Sequence, residues 1–301
     1  MVKRSIRLLS RLGLRVFRGV FRAVPHGVAV RMGAAMGTIV YYLFARRRRL
    51  AAENLAAAYP ELSARERAWI VKRVFRNFGR GLAEFLRTAR LDAAEVSRLV
   101  EADGLHHLDE ALEGGKGALL ITAHIGNWEL MARHLTDLGY KLSVVARDVD
   151  DRSTNEIVNE IRRDNGYKVF SRGNAARFIL RCLGRNEFVG ILPDQNAADL
   201  FVEFFGRPCG TVTGPAVMHM RTGAPIIPIF CVRLPEDRHR IEVKPPLRLQ
   251  PTGDPDADVL AIMTGVHRAI EDQVRRYPDQ WLWFHDRWKA ARKRQEPSRA
   301  G

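Results

Sequence analysis

The chain has 301 residues, 46% hydrophobic and 28% charged, and a formal net charge of +15 at pH 7. This is a globular composition with material for one large core, in one or two domains. Three cysteines with no Cys-x-x-Cys pair argue against a disulfide framework or zinc site and favour a reducing compartment. The charge is local: residues 1–50 hold Lys3 and eleven arginines and no acid, leaving 37 basic against 34 acidic residues in the rest. The basicity belongs to an arm, so a nucleic-acid partner is not expected.

Arg4, Arg7, Arg11, Arg15, Arg18 and Arg22 recur every three or four residues as one helical stripe, with Leu9, Leu12, Val16 and Val20 on the other side. Such a basic amphipathic helix suits an anionic membrane surface. An Arg-rich presequence and a helix packed on the domain are the competing readings. Met32 to Ala45 is an uncharged apolar run of fourteen residues, short of the roughly 20 that a spanning helix needs. We expect a re-entrant or interfacial helix first and a single span second. Arg46 to Arg49 close the run and would hold the following domain on the cytoplasmic side. The late start and the arginine end argue against a secretory signal.

Residues 51–115 read as helical, with a helix break at Tyr59-Pro60 and a capping box of Ser63 and Glu66. From Gly117 onward, strands and helices alternate. Strands are expected at 117–123, 141–147, 167–170, 187–192, 225–233 and 240–249. Helices are expected at 127–138, 152–165, 174–184, 213–222 and 257–277. The alternation predicts an α/β fold, a mostly parallel central sheet flanked by helices, with an N-terminal membrane-associated helical arm. The expected division is 1–50 arm, 51–289 single α/β domain and 290–301 polar tail.

His124 closes the first strand, where open α/β sheets place their ligands, and Glu129 follows in the first helical turn. A turn between them would let the carboxylate hold one ring nitrogen as N–H and free the other as a base. The plainer reading is a buried turn histidine, with Glu129 complementing the helix N-terminus. Arg147 ends the second strand at the same edge and reads as a strand-end partner of Asp148 or Asp150; the resemblance given below implies an anion clamp instead. Asp194 and Gln195 follow the fourth strand, to orient Arg147 or simply to form a turn, while the resemblance given below implies contact with acceptor hydroxyls. His285 with Asp286, and the lone histidines His134 and His219, read as structural. His124, Glu129 and His134 match no trusted metal spacing, so no metal is expected.

The string HIGNWE is His-x4-Glu and resembles the His-x4-Asp/Glu signature of glycerolipid and lipid A acyltransferases. It is most similar to the bacterial lipid A lauroyl/myristoyl acyltransferase family. RRRRLAAENLAAAYPELSARER, Asp194-Gln195, Phe204-Phe205-Gly206 with Thr213-Gly214, Ala224-Pro225-Ile226-Ile227-Pro228 and the Trp281–Trp288 segment carry the resemblance over about residues 27–289. Ala146-Arg147-Asp148 departs from the family's Tyr-Arg-Pro and leaves the acceptor open. The resemblance implies a membrane-bound O-acyltransferase without a cofactor, with His124 as general base and Glu129 orienting it. Arg147, Asp194, Gln195 and Asn127 would bind substrate, and backbone N–H groups near Gly126 and Asn127 would stabilise the oxyanion. Phe201, Phe204 and Phe205 would line an acyl tunnel or pack the core. The implied partners are an acyl–acyl carrier protein or acyl-CoA donor, a lipid A precursor as acceptor and an anionic membrane surface, at the cytoplasmic face of a bacterial inner membrane. A lysophospholipid or phosphatidylinositol mannoside is the alternative acceptor. A lipid hydrolase and a non-enzymatic membrane-binding protein are the rival classes, but the hydrolase's Gly-x-Ser-x-Gly elbow is absent.

Overall fold

The computed structural model describes residues 13, 15–146, 151–171, 173 and 175–295. Helices α1 (His26–Leu43) and α2 (Ala45–Ala58) meet at Phe44 with a 92° bend. Helix α3 (Ala64–Thr88) starts at the expected capping box, where Ser63 and Glu66 each accept from the other's backbone N–H. No single helix among the described residues is long and apolar enough to cross a membrane, although the bent α1–α2 pair passes that test together. Residue 50, the expected end of the arm, lies inside α2.

Alpha-helix α4 (Ala93–Leu99) leads to β1 (Val100–Asp103), α5 (His106–Glu113), β2 (Ala118–Ile121) and α6 (Trp128–Asp137). Then come β3 (Leu142–Ala146), α7 (Arg152–Asp164), β4 (Lys168–Ser171), α8 (Ala175–Leu183) and β5 (Phe188–Ile191). A hairpin of β6 (Leu200–Phe204) and β7 (Arg207–Thr211) precedes α9 (Gly214–Thr222), β8 (Ile226–Arg233), β9 (His239–Val243), α10 (Pro255–Arg276) and α11 (Lys289–Gln295). The main sheet has the order β1-β9-β8-β2-β5-β3-β4. The five strands from β8 to β4 run parallel; β9 pairs antiparallel with β8, and β1 runs parallel to β9.

Beta-strand β2 is buried at all four positions and β8 at all eight, as expected for parallel strands covered on both faces. The pleat divides them: Leu119 and Ile121 enter one core cluster, Ala118 and Leu120 the other. Two elements depart from the sequence reading. Val100–Asp103 was expected to be helical but forms the edge strand β1, because its pairing with β9 is tertiary and leaves no apolar run to read. The strand expected over 240–249 stops at Val243, ahead of Pro245 and Pro246, which have no N–H to donate to a ladder.

The N-terminal helices are packed on the domain. Gly33 and Gly37 of α1 lie against Gly79 and Phe75 of α3 so closely that a Cβ at Gly37 would stand 2.1 Å from the Phe75 carbonyl oxygen. Small residues permit this backbone approach. Toward its C-terminal end α1 leaves Ile39, Val40, Tyr42 and Leu43 exposed, followed by exposed Phe44. In the preceding helical stretch, 15–23, Phe21 and Arg18 are buried, and Arg18 bonds Glu160 (2.9 Å) and Asp164 (3.2 Å) of α7. This corrects the expected lipid-facing stripe: Arg18 faces the protein, where two carboxylates neutralise it, while Val16 and Val20 are exposed. Arg4, Arg7, Arg11, Leu9 and Leu12 lie outside the described residues.

The α1–α3 contact is testable. Gly37→Leu forces a side chain into backbone that cannot move aside, and overpacking of this kind costs about 1–3 kcal/mol or more. Gly27, also on α1, has open space around it, and Gly→Ala in a helix gains up to about 1 kcal/mol. Thermal unfolding should therefore place Gly37→Leu well below the wild type and Gly27→Ala at or above it. Equal melting temperatures for the two variants would remove the close contact.

Candidate active site

The parallel pairing of β2 with β5 sets Ile121 beside Ile191. Three residues beyond each matched position stand His124 and Asp194, so two loops from neighbouring strands deliver them side by side at the carboxyl edge of the sheet. Asp194 grips His124 twice: Oδ2 accepts the His124 backbone N–H (2.8 Å) and Oδ1 accepts the ring Nδ1–H (2.8 Å). Trp281 donates its indole N–H to Oδ2 (2.9 Å). Burial alone would push the Asp194 carboxyl up, but the His124 ring, its backbone N–H and the Trp281 indole hold it well below the usual carboxylate range. An ionised Asp194 fixes the proton on Nδ1 and leaves Nε2 as an acceptor. The Gln195 side-chain amide occupies that acceptor, with its nitrogen at 3.3 Å. The Trp128 ring packs edge-on against the imidazole, centroids 4.9 Å apart.

The turn from His124 to Asn127 is pinned to its surroundings. Gly126 N–H donates to Gln280 O and Asn127 N–H to Cys231 O. Gly126 has φ +59°, and a Cβ there would stand 1.8 Å from Cys231 O, so this corner requires glycine. These bonds correct the expectation that the Gly126 and Asn127 N–H groups serve an oxyanion, because both are already donated. The Asn127 side chain is likewise committed. Its Oδ1 caps α6 by accepting Leu130 N–H (3.0 Å) and its Nδ2 donates to Glu84 Oε2 (2.6 Å), which corrects its assignment to substrate.

Glu129 does not hold His124. Its carboxylate takes Arg162 of α7 through Nε (3.2 Å to each oxygen) and Nη2 (2.5 Å), accepts the Tyr167 hydroxyl and accepts Trp128 Nε1 (3.3 Å). The expected dyad is thus corrected: the carboxylate on the imidazole comes from Asp194, and Glu129, in the first turn of α6, faces Arg162 of α7. Arg147 lies outside the described residues, just beyond Ala146. Arg162 and Tyr167 were missed by sequence reasoning. Arg162 was one of several charges on an amphipathic helix, and only its burial against Glu129 sets it apart. Burial lowers and Glu129 raises the Arg162 guanidinium, with a net upward shift, while burial and Glu129 both push the Tyr167 phenol well up.

From His124 a cavity of about 160 Å³ runs between α6 and the sheet. Trp128, Gln195, Arg162 and Glu129 stand in its polar wall, and Leu120, Met131, Leu135, Leu142, Val144 and Ile229 line its apolar part. Phe204 and Phe205 are not among its lining residues; they are buried in the core with Trp281 and Trp283, so the tunnel reading of these two rings gives way to packing. His285 is a packing residue whose Nε2 accepts Asn196 N–H (3.2 Å), and burial lowers its pKa to about 4. Among the described residues, the one trio with metal-ligand proximity is His106, His107 and Glu110, which lines none of this cavity.

Residues 4–290 match the sequence family of bacterial lipid A biosynthesis acyltransferases. The chain is 25% identical over 271 residues to the lipid A biosynthesis palmitoleoyltransferase of Escherichia coli K12, spanning 88% of this chain and 86% of that one. It is 25% identical over 288 residues to the lipid A biosynthesis lauroyltransferase of the same organism, spanning 93% and 91%. It is also 28% identical over 223 residues to a phosphatidylinositol mannoside acyltransferase of Mycobacterium tuberculosis, spanning 71% and 68%. Taken with the α/β fold and the family match over nearly its whole length, the chain belongs to the bacterial lipid A biosynthesis acyltransferase family and is an acyltransferase.

Proposed function

We propose that this protein is a membrane-bound O-acyltransferase that moves a fatty acyl chain from an acyl thioester to a hydroxyl of a lipid A precursor, with His124 as base and Asp194 as its orienting carboxylate. The observation that carries this reading is the double grip of Asp194 on His124, which leaves Nε2 as the acceptor on a ring that lines the cavity. The acyl chain lies in that cavity, its thioester carbonyl beside His124. The acceptor hydroxyl displaces the Gln195 amide and gives its proton to Nε2 as its oxygen attacks the carbonyl. The tetrahedral intermediate expels the thiolate, which takes the proton back from the imidazolium. The Asp194 carboxylate favours that imidazolium. The displaced Gln195 amide is placed to donate to the developing oxyanion. Glu129 with Arg162 forms the polar wall of the acyl cavity and ties α6 to α7. The donor is an acyl–acyl carrier protein or acyl-CoA; a phosphatidylinositol mannoside is the alternative acceptor, favoured by the mycobacterial relative.

Purified protein given lauroyl–acyl carrier protein and a lipid A precursor should form the acylated product. His124→Ala should lower turnover by about 10²–10⁴, the usual contribution of a general base, with an unchanged melting temperature. Asp194→Asn should lose most activity too, because an amide no longer favours the imidazolium. Near-wild-type turnover in either variant would sink the dyad. Glu129→Gln should behave differently. Breaking a buried ion pair costs about 3–5 kcal/mol, so its melting temperature should fall with its activity; activity loss alone would return Glu129 to the reaction.

We also place the protein on the cytoplasmic face of a bacterial inner membrane, held by the exposed apolar side of α1 and the basic residues before it. Two terms follow. Basic residues near an anionic leaflet contribute about 1 kcal/mol each, and salt screens this; apolar burial is insensitive to salt. In liposome flotation, deleting residues 1–12 should weaken binding and flatten its salt dependence. Ile39→Ser with Leu43→Ser should weaken binding equally at low and high salt. Unchanged flotation of both variants would refute the membrane reading.

A further inference from the structure

Helix α7 lies between the N-terminal helical stretch 15–23 and the cavity beside His124, and the spacing of its side chains sets which face meets each. Glu160 and Asp164 are four residues apart and share one face. Both take Arg18, at 2.9 and 3.2 Å. At about 100° per residue, Arg162 falls about 160–200° around the helix from each of them. It turns the other way, into the cavity wall, where it bonds Glu129. Ile161, fully buried, belongs to the same apolar cluster as Phe21 of the N-terminal stretch, and Ile157, one turn earlier, packs against it. A stiff helix is thus gripped on one side by the arm and presents a cavity residue on the other.

Resting on the acyl-transfer reading above and its placing of the acyl chain in that cavity, we infer that Arg18 is a positioning residue for the acyl donor: by holding Glu160 and Asp164 it sets the height of α7, and with it the Glu129–Arg162 wall along which the chain lies. Arg18 reaches neither the chain nor His124; it acts through α7. The charges on α7 support a built contact. Asp164 is in the last turn and Glu160 just before it, at the end where the helix dipole disfavours anions. An acid there needs an outside partner, and the buried Arg18 is that partner. Arg22 lies within electrostatic reach of both acids and of Arg18, so without the two carboxylates these cations would repel one another. The stretch is also held at its far end. Arg87 of α3 donates to the carbonyls of Phe21 and Val24, and Arg90 to that of Arg22 (3.0 Å). With that end fixed, the Arg18 contact sets where α7 rests.

The test uses the full-length protein, with lauroyl–acyl carrier protein titrated at saturating lipid A precursor, and then the converse. The link is cut from both sides. Arg18→Met keeps the length of the side chain and removes its charge. The double variant Glu160→Gln with Asp164→Asn leaves Arg18 in place and removes acids that the α7 dipole disfavours, so α7 itself should still form. Each should raise the donor KM by about five- to tenfold, while kcat per folded molecule and the acceptor KM stay within about twofold. A merely structural role would lower the folded fraction and leave the donor KM unmoved. Arg18→Lys, which keeps the charge but not the fork, should lie closer to the wild type than Arg18→Met. An unmoved donor KM in the double variant, or an equal rise in the acceptor KM, would overturn the assignment. Failure of the wild type to transfer the acyl chain would instead overturn the reading on which it rests, and that is seen before any variant is compared.

Discussion

The site rests on one carboxylate that does two jobs. Asp194 accepts a backbone N–H and a ring N–H of the same residue, so it fixes both where His124 sits and which nitrogen carries the proton. A buried carboxylate with fewer donors would be expensive to keep ionised; here three N–H groups, from the His124 backbone, the His124 ring and Trp281, converge on it. The loop carrying it is held in turn. Arg287, fully buried, donates to the carbonyls of Gln195 (3.3 Å) and Gly210 (2.5 Å) and packs over Phe204. The tryptophan-rich segment 281–288 is thus part of the scaffold of His124: Trp281 bonds the carboxylate, and the backbone at Leu282 donates to His124 O.

Much of the fold was legible because parallel strands buried on both faces appear as short apolar runs separated by amphipathic stretches. Ala118–Ile121, Phe188–Ile191 and Ile226–Arg233 all fall within the ranges expected for them. The position of His124 was legible for the same reason, being the first polar ring after such a run. Its partner was not. Chain order puts Glu129 five residues away and Asp194 seventy, whereas sheet order puts β5 next to β2. No local pattern encodes that β5 returns to lie between β2 and β3. The Glu129–Arg162 pair was hidden by a similar limit: an arginine on an amphipathic helix looks solvated until the helix that covers it is known. The arm was misread where periodicity could not tell an inward from an outward face, as with Arg18.

The N-terminal helices are joined to the chemistry through a buried ionic link. Helix α3 receives α1 at Gly79 and, five residues further along, carries Glu84, which is 3% exposed. Glu84 takes Arg233 of β8 through both oxygens (2.8 and 2.5 Å) and the Asn127 amide (2.6 Å), and His239 stands 3.5 Å away. Burial pushes its carboxyl up, yet Arg233 and His239 hold it well below the usual range. A buried ion pair adds little net stability, because desolvation offsets the attraction. Its value lies in geometry. Asn127 caps the helix that starts at the site, so the same carboxylate sets the entry of α6, the end of β8 and the height of α3. Any tilt of α3, including one transmitted by α1, must therefore either break that pair or shift the turn that carries His124. A rigid coupling of this kind fixes the position of His124 relative to the exposed residues of α1.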